Sequence, residues 1–170
     1  VGVAKTLTND FVLIATGDHV TSEVHLIPAA APATSPRLVA ARRPGHEYSL
    51  AQRGDRFLVT TNDRHRNFRL VEAPVADPGE ANWREVLPPS DDVYLVGAAG
   101  FRDFYVTVTR ERGLVRIRLR YDDGRVVEVP WPEAAYAAGL GSNLDYDTDR
   151  LRLRYSSMVT PASVLDFHPA

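Results

Sequence analysis

The segment Thr61–Leu70, TNDRHRNFRL, concentrates side chains of the types that most often carry chemistry in proteins. It holds one aspartate, one histidine, two asparagines and three arginines, a set that would suit either catalysis or the binding of an anion. A related segment, TGDHVTSEVHL, occurs earlier at Thr16–Leu26. The polar cluster is therefore a repeated feature of the chain, which favours an exposed turn that recurs in each repeat.

Two other groups of acidic and imidazole side chains invite interpretation as metal sites. Asp18 and His19 offer a carboxylate and an imidazole, but His25 falls on a predicted strand six residues further on, so no third ligand joins them. The alternating aspartates of 145–149 resemble half of a calcium loop whose glycine and distal glutamate are missing. We therefore expect turns at both places, with no metal and no cofactor.

The tripeptide Arg53-Gly54-Asp55 spells an adhesion motif. It lies where the repeat predicts a tight turn between two strands, and glycine supplies the positive φ that such turns need. We interpret it as a structural turn.

The composition is that of an ordinary globular domain of 170 residues, with 44% hydrophobic and 25% charged residues. The net charge of -2 gives no reason to expect a nucleic acid or an anionic membrane as partner. No run approaches the roughly 20 apolar residues of a membrane span. The absence of cysteine excludes disulfides and a cysteine nucleophile, and it suits a reducing compartment, so we expect a cytoplasmic protein.

Four segments of alternating apolar residues recur at a period of about 47 residues. Their first apolar residues are Phe11, Phe57, Phe104 and Leu151, which are 46, 47 and 47 positions apart. An aspartate precedes each of them by one or two residues, at a position typical of turns. This spacing predicts one structural unit per period.

Further short apolar segments flank each of the four, so that each period contains up to four strands. Four strands repeated every 40 to 50 residues are typical of the blades of a β-propeller. We therefore predict an all-β chain, a partial β-propeller of about four blades. Each blade is a four-stranded antiparallel sheet, and the last blade lacks its fourth strand. The blades are expected at about 1–43, 46–89, 92–132 and 135–170 of a single domain.

Several runs of sequence carry a family resemblance that covers essentially all of the chain. The most specific are Thr-Asn…Asn-Phe-Arg-Leu within 61–70 and Tyr-Ser-Ser-Met-x-Thr-Pro at 155–161. GDHVTSEVHLIPA at 17–29 and NWREVLPP at 82–89 match as well. These runs resemble the N-terminal β-propeller domain of the prolyl oligopeptidase family of serine peptidases, most closely its oligopeptidase B branch.

The resemblance implies a larger enzyme in which a seven-bladed propeller caps a C-terminal α/β-hydrolase domain. This chain would then be a fragment with roughly the last four blades, and the hydrolase domain would be absent from it. The resemblance also implies cleavage after Arg or Lys, with the acidic groups that hold the basic side chain mainly in the absent domain. The propeller would act as a gate, because an extended short peptide passes through a channel or cleft that excludes a folded protein.

The chain itself is expected to be inactive. An α/β-hydrolase carries its nucleophile in a G-x-S-x-G turn, and the nearest segment, GLGSNL around Ser142, lacks the second glycine. It fits a turn between two strands. None of the five histidines has the serine and aspartate partners of a catalytic triad: His19, His25, His46, His65 and His168.

The turns between second and third strands are the candidates for the face toward the hydrolase domain. In a four-stranded meander these turns emerge on the same side as the links between blades. The candidate residues for the substrate cavity or interdomain contacts are Asp18, His19, Asn62, Asp63, Arg64, His65, Arg110, Glu111, Ser156 and Ser157.

A second hypothesis is a stand-alone propeller-like scaffold that binds a protein partner on the same polar turns. The coding sequence downstream discriminates between the two: G-x-S-x-G followed by Asp and His favours the peptidase, and an early stop codon favours the scaffold. In either case an isolated four-blade piece exposes two blade flanks, so we expect it to self-associate.

Overall fold

A computed structural model describes residues 1–169 of the chain; Ala170, the predicted end of the fourth blade, lies outside the described residues. Fifteen strands form four separate antiparallel sheets of four, four, four and three strands. This confirms the predicted all-β partial propeller. The described residues contain no α-helix, and none of their helical segments has the length and apolarity needed to cross a membrane.

Each sheet is a blade in which the spatial order of the strands follows their order in the chain. Blade 1 consists of β1 (Gly2–Lys5), β2 (Phe11–Gly17), β3 (Ser22–Pro28) and β4 (Arg37–Leu38). Blade 2 consists of β5 (Tyr48–Arg53), β6 (Arg56–Thr61), β7 (Arg69–Pro74) and β8 (Arg84–Leu87), with a 3₁₀ helix at Glu80–Asn82 before β8. Blade 3 consists of β9 (Val93–Gly100), β10 (Phe104–Glu111), β11 (Leu114–Tyr121) and β12 (Val126–Glu128). Blade 4 consists of β13 (Tyr136–Leu140), β14 (Leu151–Ser157) and β15 (Ser163–Phe167).

The second strands of the two middle blades, β6 and β10, are buried on both faces, because each of these blades has a neighbour on either side. In β6, five consecutive residues from Phe57 to Thr61 are buried. In β10, Val106 and Val108 belong to the apolar cluster shared with blade 4, while Thr107 and Thr109 are buried on the opposite face. A blade therefore cannot be stable alone, and stacking on its neighbours supplies its core.

The three seams between neighbouring blades have unequal apolar cores. Seam 1/2, between blades 1 and 2, contains eight buried residues: Val24, Leu26, Val39, Ala40, Tyr48, Phe57, Val59 and Val71. Seam 3/4 contains nine: Phe101, Phe104, Val106, Val108, Ile117, Leu119, Val129, Leu151 and Leu153. Seam 2/3 contains only three: Leu58, Leu70 and Leu95. The hydrophobic contribution to stability is accordingly smallest at seam 2/3.

Polar contacts strengthen seam 2/3 where its apolar core is small. The guanidinium of Arg53 forms two hydrogen bonds with the carboxylate of Asp122, at 2.7 and 2.9 Å, and a third with the carbonyl of Phe101 at 3.1 Å. Arg53 ends β5, and Gly54 follows it with φ of +56°, which confirms the tight turn predicted for this tripeptide. The arginine of the apparent adhesion motif therefore joins two blades.

The connection between β13 and β14 reaches across blade 3 to blade 2. The hydroxyl of Tyr146 accepts a hydrogen bond from the backbone N–H of Gly54 at 2.9 Å. The backbone carbonyl of Tyr146 accepts another from the backbone N–H of Arg102 at 3.0 Å. Next to it, Asp147 forms an ion pair with Arg102 at 2.8 Å. This loop contains Ser142, and it is a turn between first and second strands, as predicted.

Candidate functional site

The turns between second and third strands lie at one end of the blade stack, which we call the turn face. At each seam, a backbone group at or beside such a turn bonds to the start of the next blade. The N–H of Ser22 donates to the carbonyl of His46 at 3.0 Å, and the N–H of Leu95 donates to the carbonyl of Asn67 at 2.9 Å. At seam 3/4 the hydroxyl of Tyr136 donates to the carbonyl of Val115 at 2.7 Å.

In blade 1 the turn carries Asp18 and His19, and both side chains are exposed. One carboxylate oxygen of Asp18 accepts hydrogen bonds from the backbone N–H groups of Val20 and Thr21, each at 2.9 Å. These bonds, chiefly the one from Val20, hold the pKa of Asp18 below its usual value. Asp18 therefore shapes the turn and also presents a negative charge on the turn face.

In blade 2 the turn is fixed by a buried ion pair. Arg69 is 3% exposed, and its guanidinium forms two parallel hydrogen bonds with the carboxylate of Asp63, at 2.9 and 2.8 Å. Glu85 accepts a further bond from Arg69 at 3.1 Å. Burial raises the pKa of Asp63, but the hydrogen bond and charge of Arg69 outweigh it, so that this pKa lies below its ordinary value. The carboxylate of Asp63 therefore has a structural role, as the partner of the buried Arg69.

The remaining predicted residues of this turn divide into anchored and exposed side chains. Asn62 ties the turn to the preceding link, since its amide accepts from the N–H of Glu47 at 2.8 Å and donates to the carbonyl of Gly45 at 3.0 Å. His65 lies 3.3 Å from a carboxylate oxygen of Asp91. Arg64 is exposed and is free to contact another surface.

The structure corrects the placement of the predicted residues in blades 3 and 4. Arg110 and Glu111 are the last residues of β10, and Ser156 and Ser157 are the last residues of β14. They are paired within the sheet, whereas the sequence pattern placed them in turns. Glu111 bonds to the guanidinium of Arg118, which lowers the pKa of this carboxyl.

The ten predicted residues do not form one cluster. Within residues 1–169, the hydrogen bonds and ion pairs of these side chains stay inside their own blade or the link next to it. Ser157 is an example: its hydroxyl accepts from the N–H groups of Val159 and Thr160, at 3.2 and 2.9 Å. The turn face is therefore a row of separate polar turns.

A buried histidine at seam 1/2 was missed by the sequence analysis. His46 is 2% exposed and stacks on the ring of Tyr48 with centroids 5.3 Å apart. Its Nε2 lies 3.0 Å from the hydroxyl of Thr61, and its Nδ1 lies 3.7 Å from a carboxylate oxygen of Glu80, which is itself held by Arg43. Burial, with the nearby charge of Arg43, lowers the pKa of His46. The imidazole is accordingly neutral at physiological pH.

A tyrosine near the start of each following blade was also missed, although the sequence contains a signal for it. The predicted first strands EYSLA, VYLVGA and AYAAGL each have tyrosine as second residue. In the structure these tyrosines contact the third strand of the preceding blade, or the residue before it, at equivalent positions. The pairs are Tyr48 with Val24, Tyr94 with Phe68, and Tyr136 with Val115.

Two arrangements that are typical of catalytic sites are absent from the described residues. Within residues 1–169 no serine hydroxyl is hydrogen-bonded to a histidine ring, and no group of three or more His, Cys, Asp or Glu side chains is arranged to hold a metal. His25, considered above as a ligand, lies 3.8 Å from Glu23 on its own strand. The exposed members of the predicted set, such as Asp18 and Arg64, present charged side chains on the turn face.

Comparison with known proteins yields a consistent set of matches. The profile described as "Prolyl oligopeptidase, N-terminal beta-propeller domain" matches residues 1–170. Dipeptidyl aminopeptidase BI of Pseudoxanthomonas mexicana is 33% identical over 168 residues, which are 98% of this chain and 23% of that protein. Protease 2 of Moraxella lacunata is 30% identical over 159 residues, 94% of this chain and 23% of that protein.

A solved structure shows the same architecture. Oligopeptidase B from Leishmania major superimposes with a TM-score of 0.87 at 25% sequence identity, covering 99% of this chain and 25% of that one. The chain thus spans about a quarter of the length of the proteins that it matches.

Proposed function

This chain belongs to the prolyl oligopeptidase family, as part of its N-terminal β-propeller, and we propose that it gates the access of short peptides to a hydrolase domain that cleaves after Arg or Lys. The relatives are serine peptidases of this family, in which the propeller is part of a larger protein with a C-terminal hydrolase domain. The similarity to oligopeptidase B supports the preference for basic residues.

The observation that carries the proposal is the convergence of the four first strands. Strands β1, β5, β9 and β13 each form one edge of their sheet. Residues from all four blades line a common space of about 250 Å³, among them Lys5, Leu50, Ala98 and Leu140. A wall built from the edges of rigid sheets has a fixed width, so it selects by cross-section: an extended peptide fits where a folded domain does not.

The turn face supplies the contacts of the gate. We assign contact with the hydrolase domain or the peptide to the exposed members of the predicted set, Asp18, His19, Arg64 and Arg110. Asp63 and Glu111 already bond to Arg69 and Arg118 in their own blades, so we do not assign them to these contacts.

Selection by size is tested with the full-length enzyme that contains this chain. The substrates are an arginine-containing peptide and the same peptide sequence placed within a stably folded domain. We expect the peptide to be cleaved and the folded domain to be spared. A destabilised variant of the same domain is the matched control, and it should be cleaved once it is unfolded. Equal kcat/KM values for the folded and unfolded forms would contradict the gating role.

The second part of the proposal is that residues 1–170 are inactive by themselves. The isolated chain serves as the blank in assays with arginine and lysine esters, beside the full-length enzyme at equal concentration. Hydrolysis above the buffer rate by the purified chain would show that a catalytic group lies within it. Full-length enzyme that hydrolyses neither ester would contradict the assigned specificity.

We also propose that the isolated chain self-associates through its outer blade faces. On blade 1, Val3, Ile14, His25 and Leu38 form one cross-strand row, in which Val3 is 70% and Leu38 is 42% exposed. On blade 4, Val164 is exposed as well. Light scattering should show a mass above that of the monomer, which the substitution Leu38→Glu reduces. A monomer at high concentration would contradict this.

A cytoplasmic location completes the proposal. The chain has no cysteine, so its fold depends on no disulfide and is compatible with a reducing compartment. Fractionation of the source cells with an antibody against the chain tests this, and recovery from the extracellular fraction would contradict it.

A further inference from the structure

A pocket of about 390 Å³ opens on the turn face where the inner ends of blades 1, 2 and 3 meet. We call it the three-blade pocket. Blade 1 contributes the residues around the turn at Asp18, blade 2 contributes the start of β5 and the residue Phe68, and blade 3 contributes the start of β9. Residues of three blades thus border a common space on the turn face.

The charged side chains that line the three-blade pocket are both acidic. Asp18 is ionised, as described above, and Glu47 is the second acid. Among the described residues, the Glu47 carboxylate has no hydrogen bond and no ion pair, although its backbone N–H bonds to Asn62. Arg42 lies at the rim, where it donates to the hydroxyl of Thr16 at 2.9 Å and offsets part of the charge of Asp18. The charge of Glu47 is left without a partner.

Aromatic rings form another part of the wall. Phe68 and Tyr94 pack edge to face with centroids 5.6 Å apart, and Tyr94 is 41% exposed. Aromatic faces carry a negative electrostatic potential that attracts guanidinium and ammonium groups. The neighbouring Val96 is 49% exposed, so the pocket also offers apolar surface to an aliphatic stem.

Two backbone irregularities place this wall at the pocket. Phe68 has a φ of +64°, a conformation that is uncommon for a bulky side chain. In β9 the pairing with β10 shifts register beside Val96, as it does at a β-bulge, which turns a side chain out of the regular alternation. Both irregularities therefore lie at residues that line the three-blade pocket.

We propose that the three-blade pocket binds a positively charged side chain, a guanidinium or ammonium group, of a peptide held on the turn face. Glu47 supplies the main charge, Asp18 adds to it, and the ring of Tyr94 contacts the cation. The inference rests on the proposed function, since it assumes that peptides reach the turn face. It adds a recognition site in the propeller for a basic residue other than the one at the cleaved bond.

Direct binding is tested with the 170-residue chain and acetyl-arginine amide as probe, followed by changes in backbone amide NMR shifts. We expect saturable changes at the residues lining the pocket, such as Gly17, Ser49 and Leu95, with a dissociation constant of roughly 1–10 mM, as suits a single side chain. The matched control ligand is acetyl-citrulline amide, which has nearly the same shape without the charge. Equal changes with both ligands, or changes elsewhere on the chain, would overturn the proposal.

Two variants locate the site. Glu47→Gln keeps the size of the side chain and should weaken binding of the arginine probe at least about fivefold, because it removes the unpartnered charge. Asp55→Asn is the matched control, since the side chain of Asp55 is 95% exposed on a turn between first and second strands, at the opposite end of the blade. Unchanged affinity in Glu47→Gln would overturn the proposal.

Kinetics of the full-length enzyme provide an independent measurement. Two peptides share the cleaved arginine and differ at a distant position, where one has arginine and the other citrulline. The ratio of their kcat/KM values should exceed 1 in the wild type and fall toward 1 in Glu47→Gln. If both peptides are cleaved with equal efficiency, the pocket inference fails while the gating role stands. If neither is cleaved, the proposed function itself fails.

Discussion

The phenolic oxygen of Tyr48, on the first strand of blade 2, accepts a hydrogen bond from the backbone nitrogen of Val24, on the third strand of blade 1, at 2.8 Å. The same hydroxyl accepts from the N–H of Ala40 at 3.1 Å and donates to the carbonyl of Ala40 at 2.8 Å. Tyr48 is 5% exposed, so water does not compete for these groups. One hydroxyl thus satisfies three backbone groups of the preceding blade.

The substitution Tyr48→Phe should therefore lower the free energy of unfolding by about 2 kcal/mol. It leaves the buried N–H groups of Val24 and Ala40 without an acceptor, and each unsatisfied buried group costs about 1–3 kcal/mol. Urea denaturation followed by circular dichroism measures the change. Tyr94→Phe is the matched control, because Tyr94 is 41% exposed and its hydroxyl has no partner among the described residues. A loss as large in the control as in Tyr48→Phe would contradict the role of the hydroxyl.

Close approach of two backbones at seam 2/3 requires glycine at position 100. A Cβ atom on Gly100 would collide with the carbonyl oxygen of Gln52 in the neighbouring blade, which cannot move without shifting β5. We expect Gly100→Ala to destabilise the fold by about 2 kcal/mol or more. The control is Gly97→Ala on the same strand, where a Cβ meets nothing within 4 Å. The melting temperatures of the two variants measure the difference. Similar values would contradict the prediction, since they would show that the backbones at seam 2/3 can move apart to accommodate a Cβ atom at position 100.

The Asp63–Arg69 pair makes stability depend on acid pH. The pKa of Asp63 is depressed in the folded state, so its contribution is present above the unfolded pKa of about 4 and is lost as pH falls through the folded value. Asp63→Asn should cost about 2–3 kcal/mol at pH 7, because Arg69 remains buried with only Glu85 as an ionic partner. The variant should also lose less stability than the wild type between pH 5 and pH 3. If the free energies of unfolding of the variant and the wild type fell in parallel over this pH range, the role of the ion pair would be contradicted.

The buried His46 makes the free energy of unfolding depend on pH in a second range, closer to neutral than that of Asp63. Its pKa is depressed in the folded state, so the unfolded chain takes up a proton first as pH falls below about 6.5, and the fold loses stability from there down to the folded pKa. The charged groups around it are Arg43, Glu80 and Asp63. His46→Gln should flatten the profile between pH 7 and pH 5. His19→Gln, at an exposed position, should leave the slope of the wild type unchanged; equal slopes in all three proteins would contradict the assignment.

The architecture could be predicted from the sequence because a period of about 47 residues is a global property that survives local ambiguity. Strand ends were less predictable. Arg110 and Glu111 look like turn residues, yet they pair with Val115 and Leu114, because a polar residue at a strand end is as compatible with the ladder as with the turn. Which of the two forms depends on the partner strand and not on the residue itself.

The candidate site could be predicted only in outline. The pattern indicated polar turns at one end of the blades, and the structure has polar turns there for blades 1 and 2. It could not indicate that the carboxylate of Asp63 bonds to Arg69, because this requires knowing that the Arg69 side chain is buried beside that turn. Nothing in the sequence pattern pointed to Glu47. Its proposed role depends on a carboxylate that has no hydrogen-bond or ionic partner, and this is known only from the folded chain.

The loop that carries Tyr146 couples parts of the molecule that share no seam. If each blade interacted only with its immediate neighbours, unfolding could proceed one module at a time from either end of the array. The hydrogen bond from the backbone N–H of Gly54 to the hydroxyl of Tyr146 spans blade 3. The second and fourth modules therefore lose a contact when either one of them unfolds. Calorimetry should accordingly find a single cooperative transition for blades 2 to 4, and separate transitions for blades 2 and 4 would contradict this coupling.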